Sequence, residues 1–181
     1  MSLRRWQQGQ EKCLGMSYSK KAIVRKSARS DLSAFCKAIR KSDKQEVEDV
    51  TQLPLEVALE RQLGRKEAVC YSIVSGSDIV GMFGCYHSNP SQCFSGDAIG
   101  TPWFLASDLL FDRHARQFIR ESKTWVSSLA SEYSALVNYT RTVESSHIGW
   151  LTRLGFMVGQ REILGGVMAR KILRPTPNLS R

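Results

Sequence analysis

The sequence predicts an α/β domain with a central mixed, mostly antiparallel sheet flanked by helices. Three observations predict it. The chain has 181 residues, enough for one domain with a proper core and short for two. Its 42% apolar and 24% charged content is that of an ordinary globular protein. Strand-length apolar runs bounded by Gly, Pro, Asn and Ser alternate with segments of helical period. Their order is strand, helix, helix, strand, strand, strand, long helix, strand, helix, strand, strand.

Taken in order, residues 22–26 (AIVRK) form a short strand. A helix follows in which Ser30 or Asp31 is the N-cap and Leu32, Phe35, Cys36 and Ile39 share a face. KQEVEDV suggests a second short helix. Pro54 then opens a third, where Leu55, Ala58, Leu59 and Leu63 line one side and Gly64 ends it. AVCYSIV and IVGMFGCYH, joined by SGSD, make the clearest hairpin. Residues 88–100 (SNPSQCFSGDAIG) break any regular pattern and read as a loop. PWFLA is the next strand. The longest helix has its buried stripe at Phe111, Ala115, Phe118, Ser122, Trp125 and Leu129, with Arg113, Arg116, Arg120 and Lys123 largely off it. ALVNYT is a strand, SSHIGWLTRL a helix closed by Gly155, and FMVGQREIL with VMARKIL a final hairpin about Gly165 and Gly166. Trp103, Trp125 and Trp150 read as core, as do Met82, Met157 and Met168. The expected division is an arm over residues 1–19, a domain over 20–173 and a fraying tail over 174–181.

Charge is unevenly placed. Residues 1–41 hold 11 Lys and Arg against Glu11 and Asp31, the whole net charge of +9, while the rest balances 15 against 15. A basic front end on a neutral body suits nucleic acid, an acidic protein surface, or plain solvation. Trp6 is one aromatic within this segment, and Trp and Arg are favoured contact residues. Arg4, Arg5, Trp6, Lys12, Lys20 and Lys21 are therefore the candidate docking residues. The five cysteines are odd in number and include no C-x-x-C pair, which points to reduced thiols in a cytoplasm and to neither a disulfide framework nor a zinc site. No apolar run approaches the roughly 18–20 residues of a membrane span, and the basic start has no apolar segment behind it to make a secretory signal.

The element order is that of the GNAT acetyltransferase fold, and two local pieces resemble it. IVRKSARSDLSAF resembles the opening strand, turn, Asp and first helix; SSHIGWLTRLGF resembles the late helix ending in Leu-Gly-Phe. Over about residues 100–166 the chain also resembles the internal virion protein A family of autographivirus-type short-tailed phages. That resemblance rests on Trp103, Phe104, Ser107, Asp108, Asn138, Tyr139, Ser146, His147 and Ile148, and on the Arg-rich helix between them. It implies a GNAT-like domain among virion proteins, made in the host bacterial cytoplasm and carried in the virion, with portal, tail or internal core proteins as partners and a ring of copies as one arrangement.

The resemblance also sets what acetyl transfer needs: backbone donors for the pyrophosphate of acetyl-CoA, a proton acceptor for the amine, and a late-helix Tyr for the leaving thiolate. The pyrophosphate position reads SDLLFDRHARQF, and no glycine occurs between Gly100 and Gly149. Side chains there crowd the backbone, and Asp108 and Asp112 add negative charge. Arg113, His114 and Arg116 are the residues that can compensate if coenzyme A is bound after all. The strand PWFLAS carries no acidic side chain before its end, and Leu151 stands at the Tyr position. The sequence thus assigns no catalytic residue, no cofactor and no metal. His147, in VESSHI, reads as helix-start packing, and His87 and His114 as structural or solvated. The first reading is a catalytically degenerate, virion-associated structural protein. The alternatives are an active acetyl-CoA-dependent N-acetyltransferase and a nucleic-acid-binding module that uses the basic N-terminal region and the helix arginines.

Overall fold

The computed structural model describes residues 21–88, 98–141, 145–164 and 166–176. The expectations for Arg4, Arg5, Trp6, Lys12, Lys20, Cys13, Cys93 and Gly165 lie outside the described residues. Seven strands are β1 (Ile23–Lys26), β2 (Val69–Ser75), β3 (Asp78–His87), β4 (Ile99–Ala106), β5 (Ala135–Thr140), β6 (Met157–Leu164) and β7 (Val167–Pro175). They form one sheet in the order β1-β2-β3-β4-β5-β7-β6. Neighbours run antiparallel except β4 and β5, which are parallel. The helices are α1 (Arg29–Ala38), α2 (Lys41–Thr51), α3 (Leu55–Gly64), α4 (Asp108–Ala130) and α5 (Ser145–Arg153).

Alternation along the strands sends successive side chains to opposite faces, which builds two cores. Val74, Ile79, Met82 and Leu105 meet Leu32 and Phe35 of α1 and Leu55 and Leu59 of α3. Their neighbours Ile73, Val80, Phe83 and Ala106 meet Leu110, Phe118 and Leu129 of α4 and Leu151 of α5. The β2–β3 hairpin turns at Gly76, whose φ of 63° favours glycine. Gly155, at φ 88°, ends α5 while the Phe156 N–H bonds back to the Leu151 carbonyl at 3.1 Å.

Several sequence expectations shift. Ala28, not Ser30 or Asp31, is the N-cap of α1; Asp31 lies inside the helix and accepts the Ala28 N–H at 2.9 Å. Strand β4 starts at Ile99 rather than Pro102, because Gly100 and Thr101 pair with His87 and Tyr86 of β3. The stripe of α4 is turned slightly, so Leu110 and His114 are buried in place of Ala115. Met82 is core, but Met157 and Met168 are 56% and 50% exposed, because the β6–β7 hairpin forms the outer edge of the sheet. Strand β7 runs to Pro175, and Thr176 donates its N–H to the Ser134 carbonyl at 2.9 Å, so regular structure extends past residue 173.

Candidate functional site

The site begins with a break in pairing. Strands β4 and β5 pair only at Ile99 with Ala135 and at Gly100 with Leu136, then diverge. Pro102, the next residue facing that edge, has no N–H to give. Asn138 Nδ2 donates instead to the Pro102 carbonyl at 2.5 Å. Four residues on, Ala106 faces the same edge, and both its backbone groups are taken. Its N–H donates to Asp43 Oδ2 at 2.9 Å, and its carbonyl accepts the Arg40 N–H at 2.9 Å.

Asp43 belongs to α2, which lies across the mouth of the divergence as a strap. Asp43, Glu46 and Asp49 recur every third residue, so they share one side of the helix. Asp43 holds β4. Glu46 accepts the backbone N–H of Arg141, just beyond β5, at 3.1 Å, and Asp49 pairs with the Arg141 guanidinium. Burial pushes the Glu46 carboxyl above its ordinary range, with the Arg141 N–H pulling the other way. Hydrogen bonds from Gln45 and Arg141 hold Asp49 below its own.

Behind the strap is a cavity of about 260 Å³, bordered by Glu46, Trp103, Phe104, Tyr139, His147 and Trp150 among others. That is smaller than the roughly 300–1,000 Å³ of sites for drug-sized ligands. On one side Phe104 stacks on Phe118 at 4.8 Å, and Phe118 lies 5.3 Å from Trp150. The Trp150 indole N–H donates to the buried Ser122 at 3.2 Å, and the His147 ring meets Trp150 edge-on at 5.6 Å. Among the described residues Arg40 Nε, Gln62 Oε1 and Trp103 Nε1 are buried with no hydrogen-bond partner, and all three residues line this cavity.

The corner ahead of α4 is differently made from an anion cradle. Ser107 occupies the N-cap position, but its hydroxyl donates to the Val80 carbonyl at 3.0 Å and caps nothing. The Arg40 guanidinium is bound to Asp43 at 2.7 Å and sits 4.6 Å over the Phe111 ring. The three residues expected to compensate border one surface hollow with Asp112 and Gln117. Arg113 and Arg116 face solvent, whereas His114 is buried and shares a 2.8 Å hydrogen bond with Ser75, with burial lowering its pKa. Asp108 and Asp112 are exposed. Leu151, at the expected Tyr position, is core. His87 is exposed and packs edge-on against Tyr133 at 4.9 Å. No group of His, Cys, Asp and Glu suited to a metal occurs among the described residues. Lys21 pairs with Glu121 at 3.3 Å, and no described helix is long and apolar enough to cross a membrane. Sequence reasoning missed Asp43 and Glu46. The available signal was the spacing of carboxylates in KSDKQEVEDV, a helix with a meagre apolar stripe.

No family model matches the chain, and no curated protein does either. Solved structures do. An acetyltransferase of the GNAT family from Streptococcus pneumoniae aligns at a TM-score of 0.56 and 10% identity, over 87% of this chain and 100% of that one. The GNAT domain of S. lividans PAT aligns at 0.61 and 12%, over 83% and 89%. AAC(6')-Ib, solved in complex with ribostamycin and coenzyme A, aligns at 0.62 and 12%, over 86% and 94%. With the seven-stranded order and the β4–β5 divergence described above, these likenesses give the chain a GNAT-like fold.

Proposed function

We propose that the chain is a phage virion-associated structural protein on a GNAT-like domain that no longer transfers acetyl groups. It docks to head-interior, portal or tail components through its basic front end. One observation carries the loss of chemistry: the Ala106 N–H, at the end of β4 where a diphosphate would be gripped, already donates to Asp43. An arriving diphosphate meets a carboxylate there, and two like unit charges 4 Å apart repel by about 4 kcal/mol at an effective dielectric near 20. One terminal nitrogen of the neighbouring Arg40 guanidinium is already paired with Asp43, and the strap tied to both strands shuts the slot. The virion assignment is supported by the resemblance of residues 100–166, above all Trp103, Phe104, Asn138, Tyr139 and His147.

Calorimetric titration of the full chain with acetyl-CoA tests the first half. No binding heat is expected, and a micromolar dissociation constant would overturn it. Mass spectrometry of purified virions tests the second half, since a particle without the protein removes that assignment. One observation favours the alternative of an active N-acetyltransferase. Glu46, whose carboxyl burial pushes above its ordinary range, borders the cavity, and such a group is the kind that accepts an amine proton. The same titration separates the two.

A further inference from the structure

We infer that the outer ridge of α4 is a binding face for the phosphate backbone of duplex nucleic acid. This goes beyond the proposed function and does not depend on the closed cleft. Arg113, Arg116, Arg120 and Lys123 are exposed at spacings of three, four and three, so they form a single ridge. At about 1.5 Å per residue the ridge is about 15 Å long, the rise of roughly four nucleotides of one strand. Arg113, Arg116 and Lys123 make no hydrogen bond or ion pair among the described residues, which leaves their donors open to phosphate.

A second segment is brought to the same ridge. The Gln117 side chain clasps the backbone of Ala22, accepting its N–H at 3.1 Å and donating to its carbonyl at 2.6 Å. Lys21, the neighbour of Ala22, is thereby set beside the middle of the ridge and pairs with Glu121 at 3.3 Å. Three acidic side chains share α4: Glu121 is occupied by Lys21, Arg120 and Gln117, and Asp108 and Asp112 are exposed at its N-terminal end. Phosphate rather than an acidic protein is indicated because the ridge lacks apolar anchors: Ile119 is the one large apolar side chain exposed on α4.

The test is binding of the full chain to a duplex of about 20 base pairs, followed by fluorescence anisotropy from about 50 to 200 mM salt. Log affinity is expected to fall linearly with log salt. The triple variant Arg113→Gln, Arg116→Gln, Lys123→Gln should flatten that slope by about 3 and weaken binding at least ~10-fold at low salt, with an unchanged melting temperature. Lys37→Gln, Lys44→Gln, Arg61→Gln, on the helices of the opposite layer, should not flatten it. An unchanged slope in the ridge variant overturns the inference. So does failure of the unaltered chain to bind at 50 mM salt, or stronger competition by polyglutamate than by duplex of equal charge, which would point to an acidic protein.

Discussion

A single carboxylate, Asp31, ties the opening strand, turn and helix to the sheet. It accepts both Arg25 terminal nitrogens at 2.7 Å, the Ala28 N–H at 2.9 Å and the Ser72 hydroxyl at 2.8 Å. The Arg25 hydrogen bonds, more than any other cause, lower its pKa from 3.8 to about 2. A folded pKa below the unfolded value means the stabilisation is complete above about pH 4 and disappears as pH falls through 2. The shift corresponds to at most about 2.5 kcal/mol, trimmed by the 42% exposure of the Arg25 side chain. Asp31→Asn should therefore cost roughly 1–2 kcal/mol at pH 7 in urea melts and much less near pH 2. Equal losses at the two pH values would contradict this. The order Arg, polar turn, Asp was legible in the chain, but the partner Ser72, 41 residues away, was not. That is why the residue looked like a cap.

At the scale of elements, α2 is held by its latches more than by its own pattern. KSDKQEVEDVT offers Val47 and Val50 as apolar residues, and Val50 is 62% exposed. Tertiary contacts decide the stability of a helix this short. Asp43→Ala leaves the Ala106 N–H without its acceptor and Arg40 without its counter-charge, so about 2–3 kcal/mol of destabilisation is expected. Amide hydrogen exchange should show Ala106 losing protection before the β2–β3 hairpin does. Protection equal to that of the unaltered chain would show that α2 is not a latch. The helix itself was legible; the bonds to Ala106 and Arg141, 63 and 95 residues away, depend on how strands pack.

At the scale of the whole molecule, the two cores make the central sheet inaccessible. Burial pushes the Cys85 thiol up to about 12 and the Cys70 thiol up to about 11. A thiol reacts as its thiolate, so both should be nearly inert in the native state. Peptide mapping after alkylation near pH 8 should find Cys85 modified only at the rate of global unfolding, rising in step with urea. Modification as fast as in an unfolded peptide would show that the centre of the sheet opens locally. The expectation of buried thiols describes Cys85, while Cys36 and Cys70 are half-buried.

Local patterns along the chain fix the succession of strands and helices and the glycine-free corner ahead of the long helix. Those are local properties, set by period and turn chemistry within a few residues. Long-range packing set the rest: Asp43 occupies that corner, Glu46 borders the cleft, His114 bonds Ser75, and Ala22 is clasped beside the arginine ridge. Each of these depends on which distant segments the packed sheet brings within hydrogen-bond reach, and no local pattern in the chain encodes that.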